Sequence, residues 1–178
     1  MKINTTIIAS ILLVTLIAGC AYGDRNLGMS TGTGAEAEST DVFERFMNLA
    51  ENADTLSPEL NKLLDENTEA INTTYPWNKD EYGPMHYAAA TGKLELVKAL
   101  LARGAEVDIT TVKNRKTPLM MAILCGHVAV VNELVRSGAN IRAIDIWESG
   151  ALHYAARSGQ LEVFKRVEAI INQGEIGR

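Results

Sequence analysis

Cysteine, histidine, tryptophan and basic charge are all scarce in this chain, and each scarcity closes off a class of chemistry. Two cysteines, Cys20 and Cys125, stand alone in 178 residues. No paired-cysteine metal motif can be built from them. The phosphate-cradling glycine loop is missing, and no serine sits in a nucleophile-elbow pattern. Carboxylates are plentiful but scattered along solvated faces. No catalytic, cofactor-binding or metal-ligating residue is assigned, and the chain reads as a non-enzyme. Lysine and arginine number 17 against 22 aspartates and glutamates, a net charge of −5. That balance argues against nucleic acid as a partner. Long apolar runs are absent too. Ile7 to Ala18 is nearly continuous but falls short of the about 20 residues that span a bilayer.

That short run, behind the positive Met1-Lys2, has the form of a secretory signal. It ends in Leu16-Ile17-Ala18-Gly19-Cys20. This resembles the lipobox of bacterial lipoproteins, in which the cysteine is lipidated and begins the mature chain. The resemblance implies cleavage after residue 19 and membrane anchoring through acyl chains on Cys20, each methylene adding about 0.8 kcal/mol of membrane affinity. Ala21, in place of aspartate, implies sorting to the outer membrane with the domain facing the periplasm. With Cys20 lipidated, Cys125 has no intramolecular partner, so no disulfide supports the fold. Cys125 reads as a small packing residue beside Gly126. Residues 20–40 are rich in glycine, serine and threonine and read as a flexible tether.

Charge is unevenly spread. From Glu36 to Glu81 there are 12 acids against 3 bases, and from Tyr82 onward 12 bases against 9 acids. A solvated face accounts for the acidic half; a basic partner surface is the sharper alternative.

Beyond the tether the chain repeats itself. Pro84-Met85-His86-Tyr87-Ala88-Ala89-Ala90-Thr91-Gly92 returns as Ala151-Leu152-His153-Tyr154-Ala155-Ala156-Arg157-Ser158-Gly159. Between them stands Pro118-Leu119-Met120-Met121-Ala122-Ile123-Leu124-Cys125-Gly126. The three glycines are 34 and 33 residues apart. Each follows a short helical segment and precedes a longer one, Leu94 to Leu101, Val128 to Val135 and Leu161 to Ile171. Gly104 and Gly138 close the first two of these. A period of about 33 with two helices and a turn resembles the ankyrin repeat, which implies an all-α solenoid of helix pairs joined by β-hairpin fingers.

Local chemistry agrees with that resemblance. Thr117 is a hydroxyl N-cap and Pro118 takes the first helical position, where its missing N–H costs nothing. Gly83 and Gly150 replace threonine at the other N-caps, Ala151 replaces proline, and Met120 replaces histidine. Upstream, Val42, Phe43, Phe46, Leu49 and Ala50 form one side of a helix, and Ser57-Pro58 opens a second through Leu60, Leu63 and Leu64. Together they read as a degenerate first repeat capping the stack. Lys165, Arg166, Glu168, Asn172 and Gln173 are expected to give the last helix a polar outer face. The organisation is thus a signal peptide over 1–19, a lipidated tether over 20–40 and a repeat domain over 41–178. Four repeats fall near 41–82, 83–116, 117–149 and 150–178.

His86 and His153 occupy equivalent positions two repeats apart, so their rings lie about 16–20 Å from each other. Two ligands of one metal cannot be that far apart. The repeat resemblance implies a structural histidine whose ring bonds neighbouring backbone. His127, after a turn glycine, is expected at the surface.

The connectors are less polar than fingers of this family usually are. One holds Tyr75, Trp77 and Tyr82. The middle one holds Ile109 and Val112 with Lys113, Arg115 and Lys116. A third holds Ile144, Ile146 and Trp147. Aromatics beside arginine are the composition of binding hot spots; the alternative is that Trp77 and Trp147 pack sideways on adjacent fingers. Thr91, Leu124 and Arg157, just before the turn glycines, are implied to line the concave side. The candidate partner-binding set is therefore these finger residues, Lys116 apart, together with Thr91, Leu124 and Arg157.

Architecture and the lipobox resemblance together point to a monomer that pairs one-to-one with a protein partner. The sequence resembles ankyrin-repeat immunity lipoproteins that neutralise lipase or phospholipase effectors delivered by type VI secretion. An alternative is a scaffold for a resident periplasmic enzyme complex. Met29 offers an internal start that would give a minor cytosolic form.

Overall fold

The computed structural model describes residue 42 and residues 45–50, 57–74 and 81–176. Cys20, Met29, Tyr75 and Trp77 lie outside the described residues. The described chain is all-helical. Residues 45–50 form a helical segment, followed by α1 (Pro58–Glu66) and a 3-10 turn (Thr68–Asn72). Three helix pairs follow: α2 (Pro84–Thr91) with α3 (Leu94–Ala102), α4 (Pro118–Cys125) with α5 (Val128–Arg136), and α6 (Ala151–Ser158) with α7 (Leu161–Ile176).

Each pair is set by the sequence signals at its ends. Gly92, Gly126 and Gly159 end the first helices at φ 74°, 86° and 67°, in the left-handed region that a side chain adopts only with strain. At Gly92 and Gly126 there is a second requirement: a Cβ would run into the His127 ring or the Gln160 side chain of the next repeat. Ser57 caps α1 by accepting the Leu60 N–H at 3.1 Å, with Pro58 next in line.

The three N-caps of the inner helices satisfy their free N–H groups differently. At α2 and α6 a glycine is the cap, and it has no side chain to offer. There the histidine three residues on turns its Nδ1 back to accept the cap N–H, Gly83 to His86 at 3.3 Å and Gly150 to His153 at 3.4 Å. At α4 the cap is Thr117, whose Oγ1 accepts from the Met120 N–H at 3.3 Å. The sulfur of Met120 sits 3.5 Å from the Thr117 N–H as a weak acceptor. The threonine hydroxyl thus serves a donor that glycine cannot, the N–H three residues on, while the cap N–H that histidine serves at α2 and α6 is left at α4 to the weaker methionine sulfur.

The inner helices stack α2 on α4 on α6, and the outer helices α3, α5 and α7 follow in register. The central helix α4 buries all of Pro118 to Leu124. Each large apolar side chain taken from water there contributes about 1.5–3 kcal/mol. Phe46 meets Tyr87 edge-on, with ring centroids 6.0 Å apart, and so packs the first repeat onto α2.

Polar ties repeat along the same axis. Asn72 accepts from the Glu106 N–H at 2.9 Å and donates to the Gly104 carbonyl at 3.2 Å. At the equivalent place one repeat on, Asp108 accepts from the Asn140 N–H at 3.0 Å. On the outer layer Arg103, the C-cap of α3, reaches Asp65 and Asn61 of α1, and Arg166 of α7 reaches Asn132 of α5.

The connectors are turns, and no strand occurs among the described residues. Two further corrections follow. His127 is no simple surface residue: it is half-buried, and its Nε2 lies 3.0 Å from the Ala90 carbonyl of the preceding repeat. Arg166, expected on the polar end, turns inward to Asn132, while Lys165, Glu168, Asn172 and Gln173 are exposed as anticipated.

Candidate partner-binding surface

Three connector positions of identical register carry positive φ without being glycine: Glu81 (54°), Arg115 (54°) and Glu148 (58°). Each stands two residues before the N-cap of an inner helix. The left-handed residue bends the finger back toward the helix it introduces, at a cost of roughly 1–2 kcal/mol. Packing around the finger must hold it there.

In the middle connector the holding group is Thr111, fully buried. Its N–H donates to the Lys116 carbonyl, and its Oγ1 accepts from the Lys116 N–H, both at 3.0 Å. In the third connector Asp145 takes that role. It is 3 % exposed, and one carboxylate oxygen accepts from the N–H groups of Trp147 and Ser149, each at 2.8 Å. The other accepts from the Tyr154 hydroxyl at 2.7 Å. A buried carboxylate is tolerable only with such saturation. Sequence reading passed over Asp145; an acid within the apolar run Ile144 to Trp147 was the available signal.

His86 locks one finger to the next. It is wholly buried, and its Nε2 lies 3.0 Å from the Lys116 carbonyl. Because Nδ1 accepts from Gly83, Nε2 carries the proton and donates. Burial lowers its pKa to about 4 against the pull of the Lys116 and Ile109 backbone contacts. This is the structural histidine that the repeat implied.

The proposed contact residues divide sharply by placement. Val112 (60 % exposed) and Trp147 (54 %) stand out into solvent, as do Ile144 and Ile146. Lys113 and Arg115 are exposed, Lys113 within 3.3 Å of Glu81. Ile109 is half-buried against the core. Tyr82 lies half-buried with its ring stacked on His86, centroids 6.1 Å apart. Thr91 spends its hydroxyl on the Tyr87 carbonyl of its own helix, at 2.7 Å. Leu124 is withdrawn from the surface set, since it is 4 % exposed inside α4. Lys116 leaves the basic fingertip for a similar reason: it is 2 % exposed, its Nζ 5.9 Å from the Trp147 ring. Trp147 therefore rests partly on the adjacent finger while keeping half its surface in water.

Trp147 and Arg157 come together. With Asp145, Ser149, His153 and Tyr154 they line a half-open depression of about 140 Å³. An aromatic edge beside a cation is an element of a protein-binding notch. Among the described residues no cluster of histidine, cysteine or acid is placed to hold a metal, and no helix is long and apolar enough to cross a membrane.

Known proteins are similar to this chain in sequence. A family model described as Ankyrin repeats (3 copies) matches residues 46–145 and, overlapping, 85–173. XBAT31 of Arabidopsis thaliana, named an E3 ubiquitin-protein ligase, is 31% identical over 117 residues, which are 65% of this chain and 24% of that protein. The phosphocholine transferase AnkX of Legionella pneumophila is 33% identical over 95 residues, 53% of this chain and 9% of its own length. The B-cell lymphoma 3 protein homolog of Mus musculus is 33% identical over 106 residues, 60% and 24% respectively. This chain spans a quarter or less of each of these relatives. What they share with it is the stack of helix pairs, a module that binds other proteins. With that stack, its turn glycines and its cross-finger histidine in place, the chain belongs to the ankyrin-repeat family.

Proposed function

We propose that this protein is an immunity-type binder, anchored at the periplasmic face of a membrane through Cys20, that neutralises a lipid-degrading toxin by covering its active site. The observation that carries the reading is the run of solvent-exposed apolar side chains on consecutive fingers. Val112, Ile144, Ile146 and Trp147 are all exposed, and each lies on a connector. An apolar surface concentrated in this way is held against water for a partner. The lipobox-like Leu16 to Cys20 supports the location, because a lipase or phospholipase acting from the periplasm meets its substrate at the same membrane. Occlusion needs no chemistry from the binder, in keeping with the histidines' structural roles.

The test is genetic and biochemical. Deleting the coding region should leave cells sensitive to a sibling strain that delivers the adjacent lipase-type effector. The purified chain should capture that effector, and Trp147→Ala should weaken capture at least about tenfold, the loss typical of a hot-spot aromatic. Unchanged survival of the deletion strain would remove the immunity role. In that case co-purification with a resident periplasmic enzyme would support the scaffold reading.

A further inference from the structure

The same motif face is covered in two repeats and open in the third. Met85, His86 and Ala89 of α2 are buried, and so are Leu119, Met120 and Ile123 of α4. Their equivalents on α6, Leu152, His153 and Ala156, are all exposed. Turn glycines show the same step: Gly92 and Gly126 are covered by His127 and Gln160, whereas among the described residues nothing lies within 4 Å of a Cβ on Gly159. Leu161, the first residue of α7, is also exposed.

What covers this face elsewhere in the stack defines what fits it here. At α2 the cover is the next finger, which brings the Lys116 carbonyl to His86 Nε2. One repeat on, the third finger brings the Ile146 N–H to the Asn114 carbonyl at 3.2 Å. By register, the residue equivalent to Asn114 in the last repeat is Trp147, and the one equivalent to His86 is His153. His153 Nδ1 is already fixed by the Gly150 N–H, so its Nε2 points outward as a donor with no acceptor among the described residues. Arg157 stands exposed in the same depression.

We infer that this depression is an open finger slot, which takes a hairpin-shaped turn of a protein partner as if it were one more repeat. The turn places a main-chain carbonyl on His153 Nε2, a main-chain N–H on the Trp147 carbonyl and a carboxylate on Arg157. The chain after the turn lays an apolar helix end over Leu152 and Ala156. A second copy of this chain is a poorer occupant. Among the described residues of the first repeat no large apolar side chain is exposed, so those residues offer no face to lay here. The inference rests on the protein-binding reading and extends it from the third fingertip, through Trp147, to the last repeat.

The probe is a cyclised peptide copying residues 139–150, the finger that fills the preceding slot and that itself carries Asp145 and Glu148. Added to the full-length chain, it should shift the NMR signals of Trp147, His153 and Gly159 saturably, at about 1 mM or tighter for a single-turn contact. Arg157→Glu should weaken it about tenfold, as loss and reversal of a charge-assisted bond would. His153→Ala should weaken it several-fold. Lys62→Gln, on the exposed side of α1, should leave it unchanged. Absence of those shifts, or equal binding by the Arg157→Glu and wild-type chains, overturns the slot. Sedimentation showing self-association that Arg157→Glu abolishes overturns it too, by assigning the face to a second copy. Peptide binding in a chain that fails to capture the lipase-type effector leaves the slot standing while the immunity role falls.

Discussion

Two histidines of the same motif live in different worlds, and the difference is measurable. His86 is sealed between fingers with a pKa near 4, while His153 has the same local cap bond but an open ring. A histidine pKa lowered by folding means that the unfolded chain binds protons which the folded chain refuses. The contribution of His86 to stability is therefore complete above about pH 6.5 and is lost as the pH falls toward 4, a change of about 3 kcal/mol over that window. His86→Gln keeps an acceptor and a donor but removes the titration. Urea unfolding across pH 4 to 7 should show a flatter stability profile for this variant than for the wild type. Parallel profiles for wild type and His86→Gln would refute the sealed-histidine account.

The residue scale also shows where sequence reading stopped. Glycine positions, N-caps and the paired helices were legible because each depends on a few adjacent residues. Burial of Lys116 was not, since a lysine in a basic cluster gives no sign that its stem will lie beneath a tryptophan from the following repeat. The positive φ at Glu81, Arg115 and Glu148 was equally hidden: these residue types give no hint of left-handed backbone, which the finger's packing imposes.

At the scale of the element, the third finger is a small structure organised by one carboxylate. Asp145 gathers two backbone N–H groups and the Tyr154 hydroxyl, and thereby fixes how Trp147 is presented. Its counterpart in the middle finger manages with a threonine hydroxyl. Asp145→Ala would leave those donors without their acceptor. Hydrogen bonds to a charged group contribute about 1.5–3 kcal/mol each, and they act here as a unit, so a total loss of about 2–4 kcal/mol is expected. Chemical denaturation measures the loss, and the emission of Trp147 should shift to the red as the finger loosens. A variant as stable as wild type, with unchanged emission, would show that the turn holds itself. Helices α2, α4 and α6 were readable from periodic sequence, but the finger's internal geometry depends on contacts across a whole repeat. Tyr82 illustrates this: read as a fingertip aromatic, it stacks on the buried His86 instead.

At the scale of the whole molecule, stability in a stacked array is a sum over repeats and the interfaces between neighbours. The third repeat has neighbours on both sides, and α4 accordingly buries seven consecutive residues, Pro118 to Leu124. The fourth has a described neighbour on one side only, and α6 buries just Ala151, Tyr154 and Ala155. Local opening should follow that gradient, because the free energy of opening a unit scales with the contacts it gives up. Native-state hydrogen exchange is expected to show the amides of α6 and α7 exchanging faster than those of α4 and α5, with the gap closing when a partner binds the last repeat. The polar residues of α7 do not remove this weakness, because Leu161, Leu152 and the open edge of His153 leave the end only half capped. Among the described residues nothing covers that face of the fourth repeat, which is the face the slot inference assigns to a protein partner. Equal or greater protection of α6 relative to α4 in the isolated chain would contradict the gradient, and with it the view that the last repeat is held in reserve for binding.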